Sequence, residues 1–156
     1  MTIKNEPFIV TKRAVRVVLQ LSNGQRVPGV VHTNLHSSVH HGRERVKDVL
    51  NDPSPMLPVH GEDGTCTLFN KSFIEVVELE QPDLAETGET DLTDHREISL
   101  VLADGLQLAG TILVSTPPER ARTLDFLNRG EPFFYLETQQ GSRVIALRYV
   151  LSVRDY

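Results

Sequence analysis

A polar set recurs at two places in the chain, and its residue types are those that proteins use for charged recognition. Each set has two arginines two residues apart, then an aspartate and an asparagine at intervals of three. The sets are Arg43, Arg45, Asp48 and Asn51, and Arg120, Arg122, Asp125 and Asn128. One interpretation is a protein-binding surface presented twice. The other is structural, with arginine and aspartate paired on a helix and asparagine ending it in the left-handed conformation.

Histidines are concentrated in one segment of the first half, which raises the possibility of metal chemistry. They are His32, His36, His40 and His41. The spacing of four residues would align His32, His36 and His40 on one helix face, where imidazoles could bind zinc or another transition metal. The intervening serines, together with Thr33 and Asn34, instead favour a polar surface loop. A metal-responsive protein therefore stays an alternative, and pH sensing at an interface is a second use for these histidines.

Covalent catalysis has little support in the sequence. Cys66 is the single cysteine and lies in a predicted strand beside Leu68, where a buried thiol is usual. The nearest histidine, His60, lies across a turn from it. The chain has no phosphate-binding glycine loop, no metalloprotease helix and no paired carboxylates at a recognisable spacing. We expect no enzymatic activity and no cofactor.

The distribution of charge leaves nucleic-acid binding as an alternative. Residues 1–77 hold nine basic and seven acidic side chains, whereas residues 78–94 hold seven acidic and no basic ones. Phosphates could be contacted by basic residues of the first half, namely Lys12, Arg13, Arg16, Arg26, Lys47 and Lys71. The net charge of −5 and the absence of tryptophan count against this alternative. The acidic segment has few large apolar residues, which predicts a solvated tether.

The two polar sets lie within longer stretches that match each other, which predicts one module present twice. Residues 19–31 match 100–112 at a shift of 81, and residues 43–51 match 120–128 at a shift of 77. Further along, Gly64 matches Gly141 and Val76 matches Val153. The change of shift implies a four-residue insertion in the first copy, in the segment that holds the histidines.

Each predicted module begins with a β-hairpin. Apolar residues of the first copy alternate with more polar ones, the period of a strand with one buried face; they are Val15, Val17, Leu19 and Leu21. Asn23-Gly24, and Asp104-Gly105 in the second copy, predict tight turns in which both residues tolerate positive φ. Gly29 and Gly110 lie mid-strand, where each predicts a bulge or bend that curls the sheet toward a barrel.

A short helix and two or three strands should follow the hairpin. In the second copy Ser115 or Thr116 could cap the helix, Pro117 suits its first turn and Gly130 ends it. The predicted buried faces are Val46, Val49 and Leu50 in the first helix and Ala121, Leu124 and Leu127 in the second. The order strand-strand-helix-strand-strand, with a final strand, predicts a mostly β (α+β) protein of two tandem small β-barrel or roll modules.

Two resemblances accompany this pattern. The Asn23-Gly24 hairpin, with Gly29 five residues on, is similar to the first half of the Sm-like fold, and Asn70-Lys71-Ser72-Phe73-Ile74 resembles the second Sm motif. Leu147-Arg148-Tyr149-Val150-Leu151 resembles that motif in the second copy. This resemblance implies a small barrel and RNA binding, although Sm-like chains usually carry their helix before the first strand. The Arg-x-Arg-x-x-Asp-x-Leu-Asn segments resemble small bacterial domains of unknown function, which implies no activity.

These observations lead to one expected organisation and function. The predicted parts are a first module over 1–79, an acidic linker over 80–95 and a second module over 96–156. No apolar run has the length of a membrane span and no signal-peptide core follows Met1, so we expect a cytoplasmic protein. We expect a non-enzymatic adaptor or scaffold in a bacterial regulatory or motility assembly. Its partner would be another protein, and self-association is a further expectation because edge strands invite pairing.

Overall fold

The computed structural model describes residues 12–35, 43–81, 93–115 and 122–156 of the chain. These residues are mostly β, with ten antiparallel strands in one continuous sheet and two short helices. The first half contains β1 (Lys12–Leu21), β2 (Arg26–Asn34), α1 (Val46–Asn51), β3 (Met56–His60), β4 (Cys66–Asn70) and β5 (Ile74–Leu79). The second contains β6 (Thr93–Leu102), β7 (Gln107–Ser115), α2 (Thr123–Arg129), β8 (Phe133–Thr138), β9 (Gly141–Ala146) and β10 (Val150–Asp155).

The two halves have the same order of elements, and in both the helix lies between the second and third strands. β6 begins at Thr93, so the last residues of the range predicted as a linker belong to a strand. The rest of that range from residue 82 onward lies outside the described residues, as do His36, His40, His41 and Arg120. The caps proposed for the second helix at Thr116 and Pro117 are also outside them.

The predicted alternation of the first strand is confirmed, because Val15, Val17, Leu19 and Leu21 are all buried. The hairpin turns differ in detail from the prediction. Gly24 and Gly105 have φ of 90° and 93°, but no described residue other than glycine has positive φ. Asn23 and Asp104 act through their side chains instead, and each accepts a hydrogen bond from the backbone N–H two residues later, at 3.0 Å.

The two mid-strand glycines mark places where two backbones approach closely. A Cβ on Gly29 would lie 2.4 Å from Val59 Cγ1, and one on Gly110 would lie 2.3 Å from the carbonyl oxygen of Glu137. At these points β2 meets β3, and β7 meets β8, through a single bridging pair: Val30 with His60, and Thr111 with Glu137. The glycines are therefore required by a crossing of strands.

The helices bury their predicted faces only in part. Val46 and Leu50 of α1 are buried, as predicted. The prediction for α2 is wrong at Leu124, which is 60% exposed, and Thr123 is buried in its place. The inward face of α2 consists instead of Thr123 with half-buried Phe126 and Leu127, which follow it by three and four residues and so lie on the same side of the helix. Gly130 ends α2 as predicted, with φ of −81°.

The last strands align differently from the sequence match. Counted between equivalent strand pairs, five residues separate His60 from its partner Cys66, whereas four separate Glu137 from its partner Ser142. As a result, Val77 rather than Val76 occupies the position of Val153: Leu19 pairs with Val77, and Leu100 pairs with Val153. The predicted burial of Cys66 is also wrong. Its thiol is free and exposed on β4, a strand at the end of the sheet.

The strand order is β10-β6-β7-β8-β9-β5-β1-β2-β3-β4, so the halves join where β5 pairs with β9. The apolar core forms two clusters that do not divide at the boundary between the halves. The cluster of the first half also contains Phe133, Tyr135, Val144 and Ala146, and the other cluster contains Val76. The junction strands are therefore buried on both faces, which explains continuous apolar runs such as Phe133–Leu136.

Candidate protein-interaction surface

The predicted arginine–aspartate pairs form at the start of both helices. Asp48 Oδ2 accepts a hydrogen bond from the Arg45 N–H at 2.8 Å and lies 3.5 Å from Arg45 Nε. In the second half Arg122 Nε donates to Asp125 Oδ2 at 3.3 Å. The first pair is largely buried, whereas Arg122 is exposed. The same short motif is therefore largely buried in the first half, whereas its arginine is exposed to solvent in the second half.

Asn51 binds the backbone of the second half. Its Oδ1 accepts from the Phe133 N–H at 2.9 Å, and its Nδ2 donates to the Phe133 carbonyl at 3.0 Å. Nδ2 also lies 3.0 Å from Glu131 Oε2. The side-chain amide thus satisfies both backbone groups of one residue, as a neighbouring strand would. The predicted left-handed helix end at this asparagine is wrong, because its helical end leads into extended backbone at Asp52.

Lys47 completes the contact of α1 with β8. Its ammonium donates to Glu131 Oε1 at 2.8 Å and lies 5.5 Å from the centre of the Tyr135 ring. Tyr135 in turn belongs to the apolar cluster of the first half. Asn51 and Lys47 of α1 therefore form a contact surface that the second half of the same chain occupies.

The corresponding surface of the second half is open to solvent. We define the α2 face as Arg122, Leu124, Asp125 and Asn128. Asn128 occupies the helix position of Asn51 and is exposed, and Leu124 occupies the position of Lys47. Leu124 is more than half exposed and lies one helical turn before the exposed amide of Asn128. Sequence reasoning selected Asn128 here but missed Leu124, which it placed in the core.

Arg43 does not join the other members of its set. It lines a cleft of about 410 Å³ together with Arg13 and Arg16 of β1 and Glu80. The sequence-predicted surface of the first half is therefore divided: Arg45 and Asp48 pair at the start of α1, Asn51 at its end binds the second half, and Arg43 lies near β1.

Four of the six basic residues proposed for phosphate contact are paired with carboxylates. The pairs are Arg16 with Glu80, Arg26 with Glu78, Lys47 with Glu131 and Lys71 with Asp52. Lys12 and Arg13 lie at the start of β1. The hydrogen bond that Arg26 donates to Glu78 raises the pKa of Arg26. These ion pairs neutralise much of the positive charge that a phosphate backbone would need.

Lys71 is a buried structural residue, only 6% exposed. Its ammonium donates to the Val49 carbonyl at 2.6 Å and to Asp52 Oδ1 at 2.9 Å, so it caps the end of α1. Burial of Asp52 acts to raise its pKa, but hydrogen bonds from Lys71 and Ser54 outweigh this and lower it. Lysine near the last carbonyls of a helix is stabilising, which gives Lys71 its role here.

Of the histidines proposed as metal ligands, only His32 is among the described residues. Its ring lies edge-on to His60, with 4.8 Å between the centroids. Desolvation, followed by the charges of His60 and Lys12, lowers the pKa of His32. Within the described ranges, no three histidine, cysteine, aspartate or glutamate residues are grouped as a metal site would require.

A buried carboxyl group that the sequence did not single out lies between the halves. Glu75 on β5 is 1% exposed, and its Oε1 lies 3.4 Å from Gln20 Nε2, which also lies 3.4 Å from Asp104 Oδ2. Burial, with a hydrogen bond to Asp104 and the charge of Asp104, raises the pKa of Glu75 to about 7. The sequence signal that could have identified this buried carboxyl group is the presence of a glutamate inside the apolar run of β5.

No family model matches the chain, and no curated protein or solved structure matches it significantly. In the part of the chain that the structure describes, neither helix is long and apolar enough to cross a membrane.

Proposed function

We propose that this chain is a non-enzymatic protein-protein interaction module, an adaptor or scaffold built from two copies of one small β module of the roll or barrel type. The identical order of elements in the two halves supports the duplication. In each half the first strand pairs with the second and the last strand pairs with the first. A duplicated module offers the same binding geometry twice, which suits a protein whose role is to connect others.

The observation that carries this proposal is the contrast between the two helices. On α1, Asn51 and Lys47 make four polar contacts at the start of β8, two with the Phe133 backbone and two with the Glu131 side chain just before it. On α2, the same positions are Asn128 and Leu124, and both are exposed. We infer that the α2 face binds a polypeptide edge as the α1 face does, with Asn128 serving a backbone N–H and carbonyl and Leu124 adding apolar contact.

RNA binding is less well supported by the same geometry. A surface for RNA needs unpaired cations and aromatic platforms. Four of the six candidate cations are paired with carboxylates and Lys71 is buried. A metal-responsive role depends on His36 and His40, which lie outside the described residues. The interaction function is therefore the one that the described contacts favour.

Affinity purification of the full chain tests this function. The tagged wild type should retain a stoichiometric protein from a native lysate of the source cells. An untagged copy of the same chain, if it is retained, is also a protein partner in this test. Leu124→Glu combined with Asn128→Ala should lose that protein, because a charge replaces an apolar contact and the amide is removed. Leu106→Glu, on the β6–β7 turn, is the control and should retain it.

The outcome that contradicts the proposal is retention that does not depend on the α2 face. A retained species that nuclease treatment removes, with the protein unchanged by the double substitution, would favour the RNA alternative instead. Retention of no macromolecule by the wild type would also reject the interaction function.

A further inference from the structure

We propose that copies of this chain associate head to tail, with β10 and α2 of one copy bound to β4 and β3 of the next. This inference rests on the proposed function and names the partner of the α2 face. It predicts that the contact between copies repeats the contact that already joins the two halves within each chain.

The internal junction provides the geometry. β5 pairs antiparallel with β9, with Val76 opposite Ile145, Val77 opposite Val144 and Glu78 opposite Arg143. α1 lies against the start of β8, where Asn51 binds the Phe133 backbone. Arg143 Nη2 also lies 3.7 Å from Glu78 Oε1. The junction thus joins the last strand and helix of one half to the third and fourth strands of the other.

The described sheet ends in the two strands that would complete a second junction of this kind. β10 is the last strand of the second half, as β5 is of the first, and β4 is the fourth strand of the first half, as β9 is of the second. In the described part of the sheet, β10 pairs with β6 and β4 pairs with β3, and each has its other edge at the end of the strand order. One chain therefore presents both members of the pair, at opposite ends.

Burial shows what these end strands lack. In β9, Val144 is fully buried by the first half, whereas Leu68 at the same position of β4 is 58% exposed. Phe133 at the start of β8 is buried, whereas Met56 at the start of β3 is exposed. On the other end strand, Leu151 of β10 is 70% exposed. Exposed apolar side chains at these places mark the surfaces that a second copy would cover.

The internal register carries over to specific contacts between copies. Val153 would lie opposite Leu68, and Ser152 opposite Phe69. Asn128 would bind the backbone N–H and carbonyl of Met56, as Asn51 binds those of Phe133. Leu124 would lie in the place of Lys47, over the exposed side of β3, where Met56 and Pro58 replace Phe133 and Tyr135. An apolar residue on α2 therefore meets an apolar strand face, which is the complementarity that a buried contact needs.

The two surfaces differ from each other, so the contact is heterologous. A chain has one surface of each type, and association leaves one of each at the ends until the assembly closes into a ring or extends as a filament. This property separates the proposal from a two-fold dimer, in which one surface would pair with its own copy.

Mixing of two single variants of the purified full chain tests the proposal. Leu68→Asp blocks the β4 surface and Leu151→Asp blocks the β10 surface, because each places a charge in a contact that would exclude water. Both side chains are more than half exposed, so the fold should be unaffected. Native mass spectrometry and light scattering should show oligomers of the wild type and monomers of each variant alone. The mixture should contain a 1:1 complex, since each variant keeps the surface that the other lacks.

Leu106→Asp is the control and should associate like the wild type. The copy that presents β4 contributes its first half to the contact, so the turn beside the contact is the β1–β2 turn with Gln25, not the β6–β7 turn with Leu106. A monomeric wild type, self-association of either variant, or a mixture that stays monomeric would each overturn the proposal. A monomeric wild type that still retains another protein through Asn128 would overturn this inference and leave the proposed function intact.

Discussion

At the scale of single residues, two asparagines at the same helix position have different surroundings. Asn51 satisfies the N–H and carbonyl of Phe133, whereas Asn128 is exposed. Asn51→Ala should lower the free energy of unfolding by about 1–3 kcal/mol, because two part-buried backbone groups lose their partner. Asn128→Ala should change it by less than about 0.5 kcal/mol. Urea unfolding of the dilute proteins measures both, and equal losses would contradict the assignment.

Residue types and spacing predicted the arginine–aspartate pairs but not the roles of Asn51 and Lys71. The pairs depend only on helical geometry, which is local, and they form in both halves. The contacts of Asn51 and the burial of Lys71 depend on residues about 80 and 20 positions away in the sequence. No local pattern contains that information, so Lys71 was assigned to phosphate contact although it caps a helix.

At the scale of elements, the close approach of two strand backbones makes the mid-strand glycines sensitive to any added side chain. A Cβ on Gly110 would meet a backbone oxygen at 2.3 Å, whereas on Gly29 the closest atom is a side-chain methyl of Val59. Gly110→Ala should therefore destabilise the fold by about 1–3 kcal/mol, and Gly29→Ala should cost less because the backbone atom nearest its Cβ, the His60 carbonyl oxygen, lies 3.1 Å away. Urea unfolding of the two variants measures the difference. The reverse order would show that β7 and β8 separate more easily than the geometry implies.

Element order was predictable from the sequence because hairpin turns, strand alternation and helix breakers are local signals. The inward face of α2 was not, since Leu124 is apolar and yet exposed, whereas the polar Thr123 is buried. The join between the halves was also missed, although the runs Phe133–Leu136 and Val144–Ala146 have the continuous apolar character of strands buried on both faces. β3, with exposed Met56 and Pro58, alternates as a strand with one open face does.

At the scale of the whole molecule, the two halves share one sheet and exchange side chains between their apolar clusters. Tyr135 and Val144 of the second half lie in the cluster of the first, and Val76 of the first lies in the cluster of the second. Neither half completes its core alone. The acidic segment therefore connects two bodies that are already held together, and the stability of the molecule depends on the junction.

Glu75 makes that junction dependent on pH. Burial and the nearby Asp104 raise its pKa from an ordinary value of 4.5 to about 7. The folded chain thus keeps a proton on Glu75 that the unfolded chain releases, so the free energy of unfolding should fall as pH rises from about 4.5 to 7. The contribution of this one group is at most about 3 kcal/mol.

Glu75→Gln should remove this contribution while keeping the volume of the side chain. The variant should match the wild type near pH 4.5 and become more stable than it as pH rises through about 7, the range in which the wild-type carboxyl loses its proton. Urea unfolding across this pH range measures the difference in the free energy of unfolding between the two proteins. Because both proteins contain all the other titratable groups, the contributions of those groups cancel in this difference. Glu62→Gln, on the exposed β3–β4 turn, is the matched control and should give a flat difference. A difference for Glu75→Gln that is independent of pH would mean that this carboxyl is ionised in the folded chain, and that a charge rather than a proton lies between the two halves.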